Sequence, residues 1–320
     1  MNRKALIAGI GASTVALRRG AIAQNMPVLR VIGPPIDAMK SVYYGVKAGI
    51  FKKYGLDVQP SILANGAAAT AALVGGAAEV SFSNSLTLFQ AHARGIPIRF
   101  IAPSILLTSD HATTQTVVKS SSAIKSGRDL VGKTIGSSSV KDMNAVATFA
   151  WIDMTGGDAK NVKMIEVPAT SAAAMLEEGR VDAVTLNEPA VGAALASGKA
   201  RTIAKPYDAI AKRLQAGGFA AMDAYVEKNT DMMKRFVRAL HEAQVYTNAH
   251  PADTAPIVAA FSGIPADVVA HSVRMIDPEY LEVRNLQPLI EAMVKYGALE
   301  APFNAADVIS PIALKAPRSG

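Results

Sequence analysis

Past its first two dozen residues the chain alternates short apolar runs with amphipathic stretches, and that alternation predicts its elements. Residues 29–32 are an apolar strand that stops at Gly33-Pro34-Pro35. From Asp37 onward Val42, Val46 and Ile50 recur at every fourth position, which predicts a helix closed by Tyr54-Gly55. A strand at 56–63 follows, then an Ala-rich helix from Asn65-Gly66 to Val74, ended by Gly75-Gly76. Residues 79–83 read as strand, 86–93 as helix and 98–102 as strand. Regular alternation of this kind predicts a parallel sheet with helices on its faces.

After an extended stretch at 116–119 and the junction Ser120-Ser121-Ser122, a second such run begins. Strands are expected at 134–137, 162–167 and 181–186, with helices at 142–154, 171–178 and 189–196. The chain thus holds two similar α/β runs, about 27–115 and 120–217. From Gly218 the sequence reads as mostly helical. Asn229-Thr230-Asp231 is a cap signal, and Met233, Phe236, Val237, Leu240 and Ala243 form one apolar stripe. Pro265 and Asn285 open two further expected helices. A helical tail must bury its apolar faces, and the first run is where it is expected to pack.

Composition changes the picture at the N-terminus. Arg3 and Lys4 precede an apolar run at 5–17, and Ala21-Ile22-Ala23 has the small-x-small form of a cleavage site, so residues 1–23 read as a signal peptide. The run is too short to span a bilayer, which needs about 20 apolar residues. Arg18 and Arg19 follow the run and are no twin-arginine motif. The formal charge is +7, but four basic residues leave with the leader, so the mature chain is not expected to bind nucleic acid. With no cysteine, disulfides, thiolate metal sites and Cys nucleophiles are excluded.

The stretch from Gly127 to Thr134 matches the G-x-x-x-x-G-K-[ST] pattern of a phosphate loop. Such a loop needs a helix directly after it, whereas Lys133-Thr134 runs into an extended segment, so no nucleotide site is expected. His92, His111, His241, His250 and His271 include no pair at metal-ligand spacing, and no metal or cofactor is expected.

Candidate chemistry lies where strands meet helices. Ser83-Asn84-Ser85, Ser137-Ser138-Ser139 and Asn187-Glu188 each follow a strand and precede a helix. In open α/β sheets ligands bind beyond the carboxyl ends of strands, and hydroxyls beside free N–H groups suit an anion's oxygens. Each cluster is equally readable as a helix cap. Asp37 and Glu188 in the same cleft would suit an amine, and both features together a zwitterion. Tyr43, Tyr44 and Trp151 are possible stacking surfaces.

A family resemblance adds to this. Val46-Lys47-Ala48-Gly49-Ile50-Phe51-Lys52-Lys53-Tyr54-Gly55-Leu56-Asp57-Val58 resembles a stretch of ABC-transporter solute-binding proteins of the nitrate/sulfonate/taurine type. Asp129-Leu130-Val131-Gly132-Lys133-Thr134-Ile135-Gly136 is similar to that family's entry into its second domain. Gly179-Arg180-Val181-Asp182-Ala183, then Asn187-Glu188-Pro189, and the segment from Tyr225 to Leu240 match later motifs in the same order. The resemblance covers roughly residues 29–260. It implies an α/β, type II periplasmic binding protein fold with a ligand cleft between two lobes. Lobe 1 would comprise 24–115 and 218–320, and lobe 2 residues 116–217. It implies ligand contacts at Pro35, Ile36, Asp37 and Ala38, at Ser83, Asn84 and Ser85, and at Ser137, Ser138 and Ser139; Asn187 and Glu188 complete the candidate site.

The expected function is to bind a small anionic or zwitterionic solute, such as a sulfonate, taurine or nitrate, in the periplasm. The expected partners are that solute and an inner-membrane ABC permease, with the protein acting as a monomer. The same family contains enzymes making the thiamine pyrimidine, which use a Cys-rich motif that this chain lacks. An enzyme on this fold and a chemosensory binding protein without a transporter are the alternatives.

Overall fold

The computed structural model describes residues 26–317, so the expected leader and its cleavage site lie outside the described residues. Ten strands form two five-stranded sheets. The first contains β1 (Val28–Gly33), β2 (Asp57–Ile62), β3 (Val80–Asn84), β4 (Ile98–Thr108) and the late strand β10 (Arg213–Met222), in the order β2-β1-β3-β10-β4. The second contains β5 (Thr114–Lys119), β6 (Thr134–Ser137), β7 (Lys163–Glu166), β8 (Ala183–Asn187) and β9 (Ala200–Ala204), in the order β7-β6-β8-β5-β9.

Both sheets are mixed, where the alternation predicted parallel pairing. β1 runs parallel to β2 and β3, and β6 parallel to β7 and β8. β10 is antiparallel to β3 and β4, and β5 antiparallel to β8 and β9. The antiparallel strand in each sheet is the one that arrives directly from the other sheet. It therefore enters from the end where its neighbours finish, which local alternation cannot reveal.

β10 also corrects the helical reading of the chain from Gly218. Its sequence, RLQAGGFAAM, is buried at every position but the two ends, so period-two alternation is absent. A strand covered on both faces carries no such signature. The false phosphate loop resolves as expected. Residues Gly127–Leu130 make a 3-10 turn with Ser126 and Asp129 in a capping box, and β6 follows instead of a helix. Lys133 is exposed, 4.0 Å from Asp182.

The tail helices share one apolar core with the first sheet. Met233, Phe236, Val237 and Leu240 of the helix Thr230–Ala249 are buried beside Leu29, Val31 and Phe82, as are Leu286, Leu289 and Met293 of the helix Val283–Lys295. Phe236 stacks on Phe51 at 5.6 Å. The second sheet has separate clusters on its two faces, one around Val117 and Val184 and one around Val118 and Ile135. Among the described residues no helix is long and apolar enough to cross a membrane.

Candidate functional site

β1 ends at Gly33, where a side chain would collide with Met39 and Phe82. The close approach lets Pro34-Pro35 turn the chain into the short helical turn Asp37–Met39. Pro35, Ile36 and Asp37 thereby face a cavity of about 400 Å³ lying between the two sheets. Asn84, at the end of β3, reaches it from the same side, and Ser138, Asp142, Asn187 and Glu188 reach it from the second sheet. A third wall comes from the tail, through Val258, Ile264, Val268, Val269 and Val273.

Seven of the sequence-predicted residues thus converge: Pro35, Ile36, Asp37, Asn84, Ser138, Asn187 and Glu188. The others do not line the cavity. Ala38 is buried in the core. Ser83 is buried too; its hydroxyl accepts from Thr70 and donates to the Asn84 carbonyl. Ser85 donates to the Gln215 carbonyl at 2.9 Å, tying its helix to β10. Ser137 and Ser139 serve the helix start described next. The expected stacking surfaces are also engaged elsewhere: Tyr43 on Phe261, Tyr44 on Tyr246, and Trp151 in the core of the second sheet.

The helix Met143–Met154 begins at the cavity, and its N-terminus is where an anion was expected. Asp142 already occupies that position. Its carboxylate accepts from the Ala145 N–H at 2.7 Å, the Ser139 N–H at 3.0 Å, the Ser137 hydroxyl at 3.0 Å and the Ser138 hydroxyl. The three serines therefore wrap a carboxylate of the chain itself. Expected as ligand donors, they are here turned onto a negative group of the chain beside the helix start, and Ser138 alone of the three also lines the cavity.

Asp37 is likewise committed. Arg274 donates to it through Nε at 3.0 Å and through Nη2, and the Met275 N–H donates at 2.8 Å. Arg274 spends further donors on the Pro251 carbonyl and the Thr254 hydroxyl. Behind this pair, Lys40 and Asp277 form a buried ion pair at 3.2 Å, with Ser41 and Ser104 donating to the same carboxylate. Lys40 also donates to the Met275 carbonyl. The segment from Arg274 to Asp277 is thereby fastened over the loop after β1. No motif in the sequence marked Arg274, because its role depends on a fold-back from the tail.

On the opposite wall the side-chain oxygen Oδ1 of Asn187 accepts from the Thr114 hydroxyl at 2.7 Å and from the Asn144 side-chain amide at 3.2 Å. Asn144 in turn accepts from the Tyr207 hydroxyl at 2.9 Å. Burial, with the Asp142 charge adding, pushes the Tyr207 phenol well above its ordinary range, so Tyr207 remains a donor. Glu188 accepts from the Gly192 N–H at 3.2 Å through one oxygen. Ile105, in the apolar wall, has a φ of 52°, a left-handed conformation that costs a β-branched residue about 1–2 kcal/mol. Among the described residues no group of three or more His, Cys, Asp or Glu side chains could hold a metal.

Two mixed sheets with flanking helices, two chain crossings and a cavity between the sheets define the periplasmic binding protein fold. The NMT1/THI5 like family model matches residues 38–254, and the chain belongs to that family. Among curated proteins none matches at a significant level. The structure is similar to the periplasmic aliphatic sulphonate binding protein SsuA from Escherichia coli, with a TM-score of 0.74 at 16% identity over 92% of this chain and 95% of that one. It is similar to the ligand binding component of an ABC-type import system from Staphylococcus aureus, solved with zinc bound (TM-score 0.71, 13% identity, 89% and 97% covered). The periplasmic nitrate-binding protein NrtA from Synechocystis PCC 6803 gives 0.70 at 12% identity, over 89% and 86%. At these identities the likeness carries the fold.

Proposed function

We propose that this protein is the extracytoplasmic solute-binding component of an ABC importer and binds without catalysis. The observation that carries the reading is the cavity between the two sheets, walled by residues from both and from the tail. Each sheet with its helices would act as a lobe, joined through the crossings at 109–113 and 205–212, and a solute held between them would favour the closed form. An inner-membrane permease would then receive the solute from the closed form. Similarity to binding proteins for sulfonates and nitrate supports the role. The polar residues at the cavity are held in place by hydrogen bonds, while the amide nitrogens of Asn84 and Asn187 keep free donors among the described residues, an arrangement suited to holding a ligand. Among the described residues the lining has no His or Lys, and its Ser138 hydroxyl is held by the capping carboxylate Asp142.

A thermal-shift screen of small organic solutes, followed by calorimetric titration and a turnover assay of each binder, tests this. A solute that binds, stabilises the fold by RT ln(1 + [L]/Kd) and so raises the melting temperature, and is recovered unchanged supports it. Conversion of a bound solute would instead establish an enzyme on this fold. Binding without a neighbouring permease and ATPase would favour a chemosensory role.

A further inference from the structure

The charges at the cavity are unbalanced toward the negative, the direction that Asp37 and Glu188 suggested and the opposite of what an anionic solute needs. Among the described residues its ionisable lining is Asp37, Asp142, Glu188 and Arg274, three carboxylates against one guanidinium. Arg274 is spent on Asp37, Thr254 and the Pro251 carbonyl. Lys40, behind this wall, is buried against Asp277. Of the helix starts at the cavity, that of Met143–Met154 holds Asp142, with the serine donors turned onto it, and that of Ser85–Ala93 is capped by the side-chain oxygen of Asn84. A free sulfonate, nitrate or carboxylate entering here would find no unpaired cation and would lie close to like charges. Burying a charge without a partner is strongly unfavourable.

The rest of the wall is apolar and comes from all three parts of the fold: Ile36 and Leu86 from the first, Met143 from the second, Val268, Val269 and Val273 from the tail. Within it, Glu188 offers the one carboxylate that has no cationic partner and only a single N–H donor, from Gly192. We infer that the ligand of this cavity is an organic amine, an apolar body carrying a protonated amino group that Glu188 receives. A cavity of about 400 Å³ suits a body of the size of a phenylethyl or cyclohexyl group with its head group. Asn84 and Asn187, whose amide nitrogens make no bond to the protein among the described residues, stand beside that head.

This inference rests on the solute-binding reading, and one matched experiment separates the two. The probes share three apolar bodies, n-butyl, cyclohexylmethyl and 2-phenylethyl, each carrying an ammonium, a hydroxyl, a carboxylate or a sulfonate. Binding to the full chain, freed of its leader, is read by calorimetry and by ligand-observed NMR. The expected order is ammonium over hydroxyl, with carboxylate and sulfonate not bound. Glu188→Gln is expected to lower ammonium affinity roughly ten- to a hundredfold while leaving the hydroxyl probes unchanged, a split that a merely structural role would not produce. Sulfonate or carboxylate binding more tightly than ammonium overturns the amine assignment and leaves the solute-binding reading standing. Hydroxyl probes binding as well as ammonium, with Glu188→Gln silent, overturns it too. Failure of every probe on every body removes both.

Discussion

Asp37 and Arg274, 237 positions apart, close the tail over the first strand's loop through a guanidinium–carboxylate contact that is only 14% and 10% exposed. The contact turns a carboxylate that reads from sequence as a ligand partner into an anchor for the cavity's third wall. Arg274→Ala should therefore leave Asp37 mostly buried with the Met275 N–H as its sole donor. A loss of about 3 kcal/mol is expected in urea denaturation. Asp37→Asn combined with Arg274→Met should lose distinctly less than the sum of its single changes, because neither charge is then stranded.

Asp142 yields a second expectation, about charge preference. Asp142→Ala removes the cap of the helix Met143–Met154 and should cost about 1 kcal/mol. It also releases the Ser137 and Ser138 hydroxyls and the Ser139 N–H at a helix start. Sulfate, titrated as sodium sulfate against a sodium chloride control, should then raise the melting temperature of the variant but not of the parent. Equal responses in both would mean that the carboxylate does not occupy the anion's place.

A third test concerns acid. Burial would raise the Asp153 carboxyl, but the Ala159 N–H, the Tyr296 hydroxyl and the Lys295 ammonium together hold it below its ordinary value. A group depressed in the folded state adds stability above its unfolded value, near 3.9, and loses that contribution as the pH falls through the folded value. Asp153→Asn should thus cost up to about 1 kcal/mol at pH 7. Parent and variant should converge in denaturation curves as the pH falls from the unfolded value through the lowered folded one.

Export gives the fourth. The basic start, the apolar run and Ala21-Ile22-Ala23 lie outside the described residues, and they predict a mature chain starting at Gln24. Intact-mass measurement of a periplasmic extract reads this directly. A periplasmic chain that keeps residues 1–23 would remove the leader reading.

What could be read ahead of the structure was what depends on near neighbours. The Met233–Phe236–Leu240 stripe marks one face of one helix and is buried where period 3.6 puts it. The expected helix through Val42, Val46 and Ile50 is instead broken: Val42 and Val46 lie in the helix Lys40–Lys47, and Ile50 opens a second short helix after Gly49, whose φ of 73° ends the first. Asn84 and Asp142 were legible as polar positions between strand and helix, because capping is local; each accepts an N–H three residues on. Long-range pairing was not legible. β10 has no alternation to report, and its direction depends on which sheet the chain has just left. The serines at 137, 138 and 139 carried the right chemistry, but their partner, Asp142, decided what they hold. Arg274 and the valines around it come from a stretch with no motif, placed at the cavity only by the packing of the tail on the first sheet.

The relay from Tyr207 to Asn187 supplies the last expectation, since it joins a chain crossing to the cavity wall. Tyr207 lies in the turn Pro206–Ala209, after the second sheet's last strand, and its hydroxyl donates to Asn144. Asn144 is on the helix Met143–Met154, which follows β6 of the second sheet, and donates its amide to Asn187, which Thr114 at the start of β5 also holds. Tyr207→Phe keeps the ring that packs in the core but leaves the Asn144 oxygen, in a residue 6% exposed, without its donor. An acceptor stranded in this way costs about 1–3 kcal/mol, so a lower melting temperature is expected in the absence of ligand. If the relay only stabilises the fold, affinity for a bound solute should match the parent once the temperature is lowered to restore full folding. If it sets the orientation of Asn187, affinity should stay weakened at that temperature, and Asn187→Ala in the Tyr207→Phe background should add little further loss. Calorimetry on the two single variants and the double variant, with the tightest-binding probe of the matched series, decides between them. The cavity geometry points to the second outcome, because three of the relay's four members, Thr114, Asn144 and Asn187, line the cavity.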